Sequence, residues 1–241
     1  MLSLKTKYFF LVLLLTVIVF VSCGSKKENS GGPDQFKKGK LLYADDFSDG
    51  LKQWVPEVED KPGSYVKVEE GKMIADVQGG ATIWFRDELQ GNILIEFTRT
   101  VIINGGPNDR LSDMNMFWMA TDPNNDTLFT RNGVFTKYHP LLLYYAGIGG
   151  NTNSTTRFRK YDGTGNRILY TDYSDEAHLL RPNKTYKIQI VVYNGTTKLF
   201  QDGEMYFSFM DDDPLTKGYF GFRLVKSHQT MDDFKVYRLK E

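Results

Sequence analysis

One cysteine, three histidines and no net charge in 241 residues remove several classes of protein at once. A single Cys cannot build a disulfide framework or a Cys-rich zinc site. Thirty basic residues balance thirty acidic ones, so no long-range field draws the chain to a polyanion, and a nucleic-acid partner is not expected. No Gly-x-Ser-x-Gly stands in the sequence, and no Gly-rich loop joins a strand to a helix, so nucleophile-elbow and nucleotide-binding fingerprints are absent. No stretch beyond the N-terminus keeps an apolar period of 3.6 over three turns. What the chain has in quantity is Gly, Tyr and Phe: 22, 14 and 17 residues.

The first segment reads as an address. Lys5 and Lys7 precede an apolar run from Tyr8 to Val21, which Thr16 alone interrupts. The run falls short of the roughly 20 residues that span a bilayer and suits the h-region of a secretory signal. It ends at Phe20-Val21-Ser22-Cys23, which resembles a loose lipobox with Phe20 in place of the usual Leu. The expectation is a lipoprotein signal over residues 1–22 and a lipidated Cys23 holding the protein to a membrane; the alternative is a signal anchor with a chance Cys. Residues 23–39 are polar and carry Gly31-Gly32-Pro33, so they read as a flexible tether. The stretch after Cys23 is not strongly acidic, which favours the periplasmic side of the outer membrane over the cell surface.

Residues 40–241 read as one all-β domain. Short apolar runs are bounded by Gly, Asn, Asp or Pro: Tyr65–Val68, Met73–Ala75, Thr82–Phe85, Asn92–Thr98, Tyr186–Tyr193, Lys198–Gln201, Met205–Phe209, Gly218–Arg223 and Asp233–Leu239. Asn194-Gly195 is the strongest short hairpin signal. Many short strands at even spacing indicate a sandwich or barrel.

Several segments carry a resemblance. Asp45–Gly50 with Trp54 follows the first strand; the hairpin Tyr186–Gln201 comes late and is followed by Asp202-Gly203-Glu204; Gly218–Arg223 and Asp232–Tyr237 close the chain. This order resembles the concanavalin-like (laminin-G-like) jelly roll, a β-sandwich of two antiparallel curved sheets. Gly105–Arg110, Asn115–Pro123, Gly149–Tyr161 and Ser227-His228 are similar to stretches of uncharacterised lipoproteins of Bacteroidota glycan-utilisation loci. The resemblance implies a last strand beside the first and a glycan bound or cleaved on a curved sheet.

The polar and aromatic density peaks in residues 104–181. If Arg157–Tyr161 is a strand, Arg157, Arg159 and Tyr161 share one face. Two guanidinium groups suit a carboxylate or sulfate on a sugar, and Tyr and Trp offer flat faces for sugar rings. The bland reading is a solvated face with Arg paired to nearby acids. Asn115, Trp118, Asp122, Tyr144, Asn151, Asn153 and His228 are candidate substrate contacts. His139 reads as a loop residue. Asp45-Asp46 and Asp232-Asp233 read as turn caps, with calcium as the alternative cofactor.

The laminarinase-type Glu-x-Asp-x-x-Glu is absent, and the carboxylates Asp113 and Asp122 match no known spacing. Jelly-roll lyases are similar in using Arg or Asn to neutralise a uronate and Tyr or His as base. In that scheme Asn115, Arg157 and Arg159 neutralise, and Tyr161 or His178 moves the proton, with Arg charge lowering the phenol pKa. The expectation is a glycan-binding and glycan-cleaving protein, lyase or hydrolase; non-catalytic carbohydrate binding is the alternative.

Overall fold

The computed structural model describes residues 32–240. Cys23, the signal segment and the tether up to residue 31 lie outside the described residues. No helix among the described residues is long and apolar enough to cross a membrane.

Fourteen strands follow one another: β1 (Lys38–Asp45), β2 (Trp54–Val58), β3 (Tyr65–Glu69), β4 (Lys72–Phe85), β5 (Leu89–Gln90), β6 (Ile93–Val101), β7 (Met114–Thr121), β8 (Leu142–Gly149), β9 (Thr155–Asp162), β10 (Arg167–Tyr173), β11 (Thr185–Tyr193), β12 (Thr196–Gln201), β13 (Glu204–Met210) and β14 (Lys217–Leu239). All pairings are antiparallel, in the path β10-β9-β8-β7-β14-β6-β11-β12-β13. The architecture is the all-β jelly roll that the strand order implies.

Two long strands join its two sheets. The first part of β14 (Tyr219–Arg223) lies between β7 and β4; its later part pairs with β6 and, from Phe234, with β1. Gly218–Arg223 and Asp233–Leu239, expected as separate strands, are thus one strand. Its bends fall at Lys226 (φ 38°) and Asp233 (φ 56°), beside breaks in the pairing register. Extra residues of this kind bend a strand without ending it. Met73–Ala75 and Thr82–Phe85 are likewise the two halves of β4. The Asn194-Gly195 turn between β11 and β12 has both residues at positive φ, 46° and 78°, as a tight hairpin requires.

Between the sheets lies an aromatic core in which Trp54 stacks on Phe222 at 5.1 Å and meets Phe234 edge-on at 4.9 Å. Asp45 closes the first turn: its carboxylate accepts the Phe47 N–H at 2.7 Å and the Trp54 indole N–H at 2.9 Å. Asp46 caps the Ser48 N–H. These carboxylates therefore act as turn caps, and among the described residues no three His, Cys, Asp or Glu side chains gather where a metal ion would sit.

The folded chain begins earlier than residue 40. Pro33–Gln35 forms a 3-10 turn with Pro33 buried, and Phe36 packs edge-on to Tyr193 and Phe200. An aromatic ring with a seat on the sheet orders residues whose Gly and Lys content suggests a tether.

Candidate functional site

A second apolar cluster lies on the other face of the β7–β9 sheet. Trp84, Phe117, Leu143 and Tyr161 are packed there beneath the segment 122–141, which connects β7 to β8 and adds Tyr138 to the cluster. That segment covers part of the sheet face, and a cleft of about 270 Å³ remains beside it.

Three rows of cross-strand neighbours underlie the cleft, with Phe117 and Leu143 buried and not lining it. Asn115, Gly147 and Arg157 form one; Phe117, Tyr145 and Arg159 the next; Leu143, Tyr161 and Arg167 the third. Alternation along β9 sends Phe158 and Lys160 to the opposite face, where Phe158 joins the core and Lys160 pairs with Asp211 at 2.8 Å. Arg157, Arg159 and Tyr161 therefore share the cleft face, as the sequence pattern indicates. Gly147 leaves the space that Tyr145 uses: a Cβ there would overlap the Tyr145 hydroxyl and lie 2.9 Å from Asn115 Oδ1.

The cleft is cationic. Arg110, Arg157, Arg159 and Arg167 line it, against the single lining carboxylate of Asp113. Arg110 pairs with Asp113, and Arg157 with Asp172 at 2.9 Å. Arg159 donates to the Arg167 carbonyl, and Arg167 lies over the Phe135 ring at 5.3 Å. Neither has a carboxylate partner among the described residues. Beneath the floor Arg223 is fully buried, donating to the Gly133 carbonyl at 2.7 Å and Thr82 Oγ1 at 3.2 Å. Among the described residues its Nε and Nη2 have no hydrogen-bond partner, nor does Asn115 Oδ1. Arg99, also buried, donates to Gln229, Asn115 and Arg223, and burial lowers its pKa to about 9.

Tyr161 contradicts one expectation. Its hydroxyl makes no hydrogen bond of normal geometry, although Arg167 adjoins it. Burial raises its pKa and outweighs the pull of Arg167, Arg159 and Arg223. Tyr145 is raised still more strongly, again by burial. Both are neutral phenols at physiological pH, so Arg charge does not produce a ready base here.

Other candidates stand elsewhere. Trp118 and Tyr144 are one residue out of phase with the cleft face. Both point into the sandwich core, Trp118 donating to Thr197 Oγ1 at 2.9 Å and Tyr144 to Asp211 at 2.5 Å. Their neighbours Phe117 and Tyr145 take the opposite face. Asp122 is held in the 122–141 segment by Arg131 at 2.6 Å and by Asn124 and Asn125. Asn153 clasps the Leu180 backbone through both its amide atoms. His178 stacks on Tyr173 at 3.9 Å with Nδ1 against Asp175, away from the cleft lining. His228 lies inside β14 with Nδ1 3.0 Å from Asp109, outside the cleft lining. Asn151 does line the cleft, in a left-handed turn where Asn151, Thr152 and Asn153 have φ of 52°, 60° and 56°.

Sequence reasoning missed Tyr145, Arg110, Arg167, Phe135 and Arg223. Tyr145 is the immediate neighbour of the candidate Tyr144, on the opposite face of the strand. The others depend on which loop folds over which strand. His139, which the sequence places in a loop, meets Phe135 edge-on at 4.9 Å, and its buried Nε2 has no hydrogen-bond partner among the described residues.

No curated protein matches the chain in sequence. Solved structures share its fold. A Bacillus subtilis protein of unknown function with a galectin-like fold superposes with a TM-score of 0.69 at 19% identity, covering 85% of this chain and 98% of its own. A carbohydrate-binding module, CBM66, from Bacillus subtilis gives 0.54 at 11% identity, with 78% and 96% covered. An endo-β-1,3-glucanase from Pyrococcus furiosus gives 0.56 at 12% identity, with 84% and 95% covered. Residues 75–234, which contain the whole floor of the cleft, match the family model "Domain of unknown function (DUF6250)", and the chain belongs to that family.

Proposed function

We propose that this protein binds an acidic saccharide, one bearing a carboxylate or sulfate, in the Arg-lined cleft. The observation that carries the reading is the charge imbalance: four guanidinium groups face one carboxylate, and Arg159 and Arg167 are uncompensated among the described residues. A guanidinium fork matches the geometry of a carboxylate or sulfate. Tyr145, Asn115 and Asn151 add ring and amide surface for sugar hydroxyls. The carbohydrate-binding module and the glucanase that share the fold support a saccharide over other anions.

Binding is favoured over hydrolysis because glycoside hydrolysis uses two carboxyl groups about 5–10 Å apart, and Asp113, the one that lines this cleft, is occupied by Arg110. β-Elimination is the second reading, favoured by the unbonded Tyr161 hydroxyl among three guanidiniums. There Asp113 would take the proton α to the uronate carboxylate, Tyr161 would give its proton to the leaving oxygen, and Arg159 would neutralise the uronate. We further propose that Cys23 carries lipid and that the domain faces the periplasm from the outer membrane; the run from Lys5 to Cys23 supports this.

The test is incubation of the full-length protein with polygalacturonate, alginate, chondroitin sulfate and neutral glucans. Binding is read by calorimetry and cleavage by ultraviolet absorbance of unsaturated uronate. Retention on the acidic glycans alone supports the reading. Preference for neutral glucan sinks it. Product formation lost in Tyr161→Phe moves the protein to the lyases.

A further inference from the structure

We infer that the cleft receives the acidic end of a saccharide chain, not its middle. The inference rests on the acidic-saccharide reading above and adds the mode of recognition.

A site for the middle of a chain is a groove open at two ends. Here the segment 122–141 walls one end, the left-handed turn after β8 bounds a flank, and the cleft opens over β9 and β10. Glu57 of β2 ties the segment down: its carboxylate accepts the Tyr138 hydroxyl at 2.8 Å and the Arg131 backbone N–H at 2.5 Å, and also the Trp84 indole at 2.8 Å. Arg131 reaches back to Asp122 at 2.6 Å, which closes the segment on itself. At its middle, Gly133 lies against the Gly80 and Glu59 main chain so closely that a Cβ on Gly80 would overlap the Gly133 carbonyl. Arg223 holds that same carbonyl from below. With this many buried bonds the segment is part of the fold, since each buried donor would cost about 1–3 kcal/mol if left unpaired. Phe135 projects from it into the cleft, its ring between the guanidiniums of Arg167 at 5.3 Å and Arg223 at 5.4 Å.

The flank is the left-handed turn after β8. Ser112 Oγ donates to the Gly149 carbonyl at 2.9 Å and accepts the Thr152 N–H at 3.2 Å, and Asn153 fastens the turn to Leu180. Gly150 and Asn151 of this turn face the cleft.

The cleft, about 270 Å³, is below the 300–1,000 Å³ typical of pockets that hold drug-sized ligands. It holds one or two sugar residues. The uncompensated Arg159 and Arg167 flank Tyr161 at the Phe135 wall, so the anionic group seats there. The chain leaves over β9 and β10, where the Arg157 and Asp172 side chains are part-exposed, 28% and 39%.

The test titrates the full-length protein with size-fractionated galacturonate, mannuronate and chondroitin sulfate chains, from disaccharide to polymer. End recognition predicts that affinity per chain stops rising by the tetrasaccharide, with later changes within about twofold, and that one protein molecule loads per polymer chain. Loading that grows with chain length overturns the inference while leaving the acidic reading intact. Failure of every acidic chain, with neutral glucan binding instead, removes both. Phe135→Ala gives a second reading: a thinned wall should let protein load along the polymer, whereas unchanged loading by a variant with unchanged melting temperature contradicts the wall's role.

Discussion

Replacing Glu57 by Gln tests the physical basis of the wall. The carboxylate is buried, 5% exposed, and receives three hydrogen bonds, two on Oε2 and one on Oε1. An amide of the same shape has one oxygen. Kept at the Oε2 position, that oxygen retains Trp84 and Tyr138, but the new NH2 then faces the Arg131 N–H, donor against donor. One unsatisfied buried donor costs about 1–3 kcal/mol, and two charge-assisted bonds become neutral ones at roughly 1 kcal/mol each. Against this, burial raises the Glu57 pKa, so relief of that desolvation offsets part of the loss. The net is about 2–4 kcal/mol, or roughly 5–15 °C in melting temperature for a domain of this size. Differential scanning calorimetry reads the shift, and limited proteolysis reads whether residues 122–141 become the first cleavage site. A melting temperature within a degree or two of wild type, with 122–141 still protected, would refute the reasoning.

Three further outcomes are expected. Trp118→Phe should lower stability by roughly 1–3 kcal/mol, through the lost indole bond to Thr197 and a smaller core ring, with saccharide affinity unchanged; weaker binding at unchanged stability would return Trp118 to the site. Gly147→Ala forces the Tyr145 ring off its seat beside Asn115, so acidic-saccharide binding measured by calorimetry should fall about tenfold or more, with circular dichroism of the folded protein preserved; full affinity would show that Tyr145 is not a contact. Acid should destabilise the fold in a defined window. For Asp122 and Asp109, burial raises the pKa, but Arg131 with Asn124, and the Asn104 and Gly106 N–H groups with His228, more than reverse it, so both end below the ordinary carboxylate value of 3.8. Their contribution is present above that value and is lost as pH falls below it, while Glu57, raised in the fold, works in the opposite sense and softens the slope. Urea midpoints that do not decline between about pH 4 and pH 2 would contradict this sign.

The strand pattern, the antiparallel hairpin at Asn194-Gly195 and the shared face of Arg157, Arg159 and Tyr161 were legible because each depends on residues near in sequence. Strand phase did not decide between Trp118 and Tyr144 and their neighbours Phe117 and Tyr145. A half-buried strand with aromatic residues on both faces, such as Met116-Phe117-Trp118-Met119, gives no alternation to say which face is wet. Here both faces are buried, one in the sandwich and one under residues 122–141. That segment was the least legible part. Its anchor Glu57 is 74 residues from the Arg131 N–H it accepts, and its contact glycines, Gly80 and Gly133, carry no pattern that links them. The bends of β14 were hidden for a different reason: Lys226 and Asp233 at positive φ read as turn residues, and a local signal does not distinguish a turn from a bulge.

The central claim is that uncompensated guanidinium groups in the cleft select an anionic sugar. The measurement that tests it most directly is calorimetric binding of one uronate oligosaccharide and of the same chain with its carboxyl groups reduced to alcohols, each against wild type and Arg159→Ala. The account predicts that carboxyl reduction weakens wild-type binding about 10- to 100-fold, the worth of a charge-assisted bond at roughly 1.5–3 kcal/mol. It also predicts that Arg159→Ala narrows the gap between the two chains, chiefly by weakening the acidic one. Equal binding of the acidic and the reduced chain by wild type would contradict it.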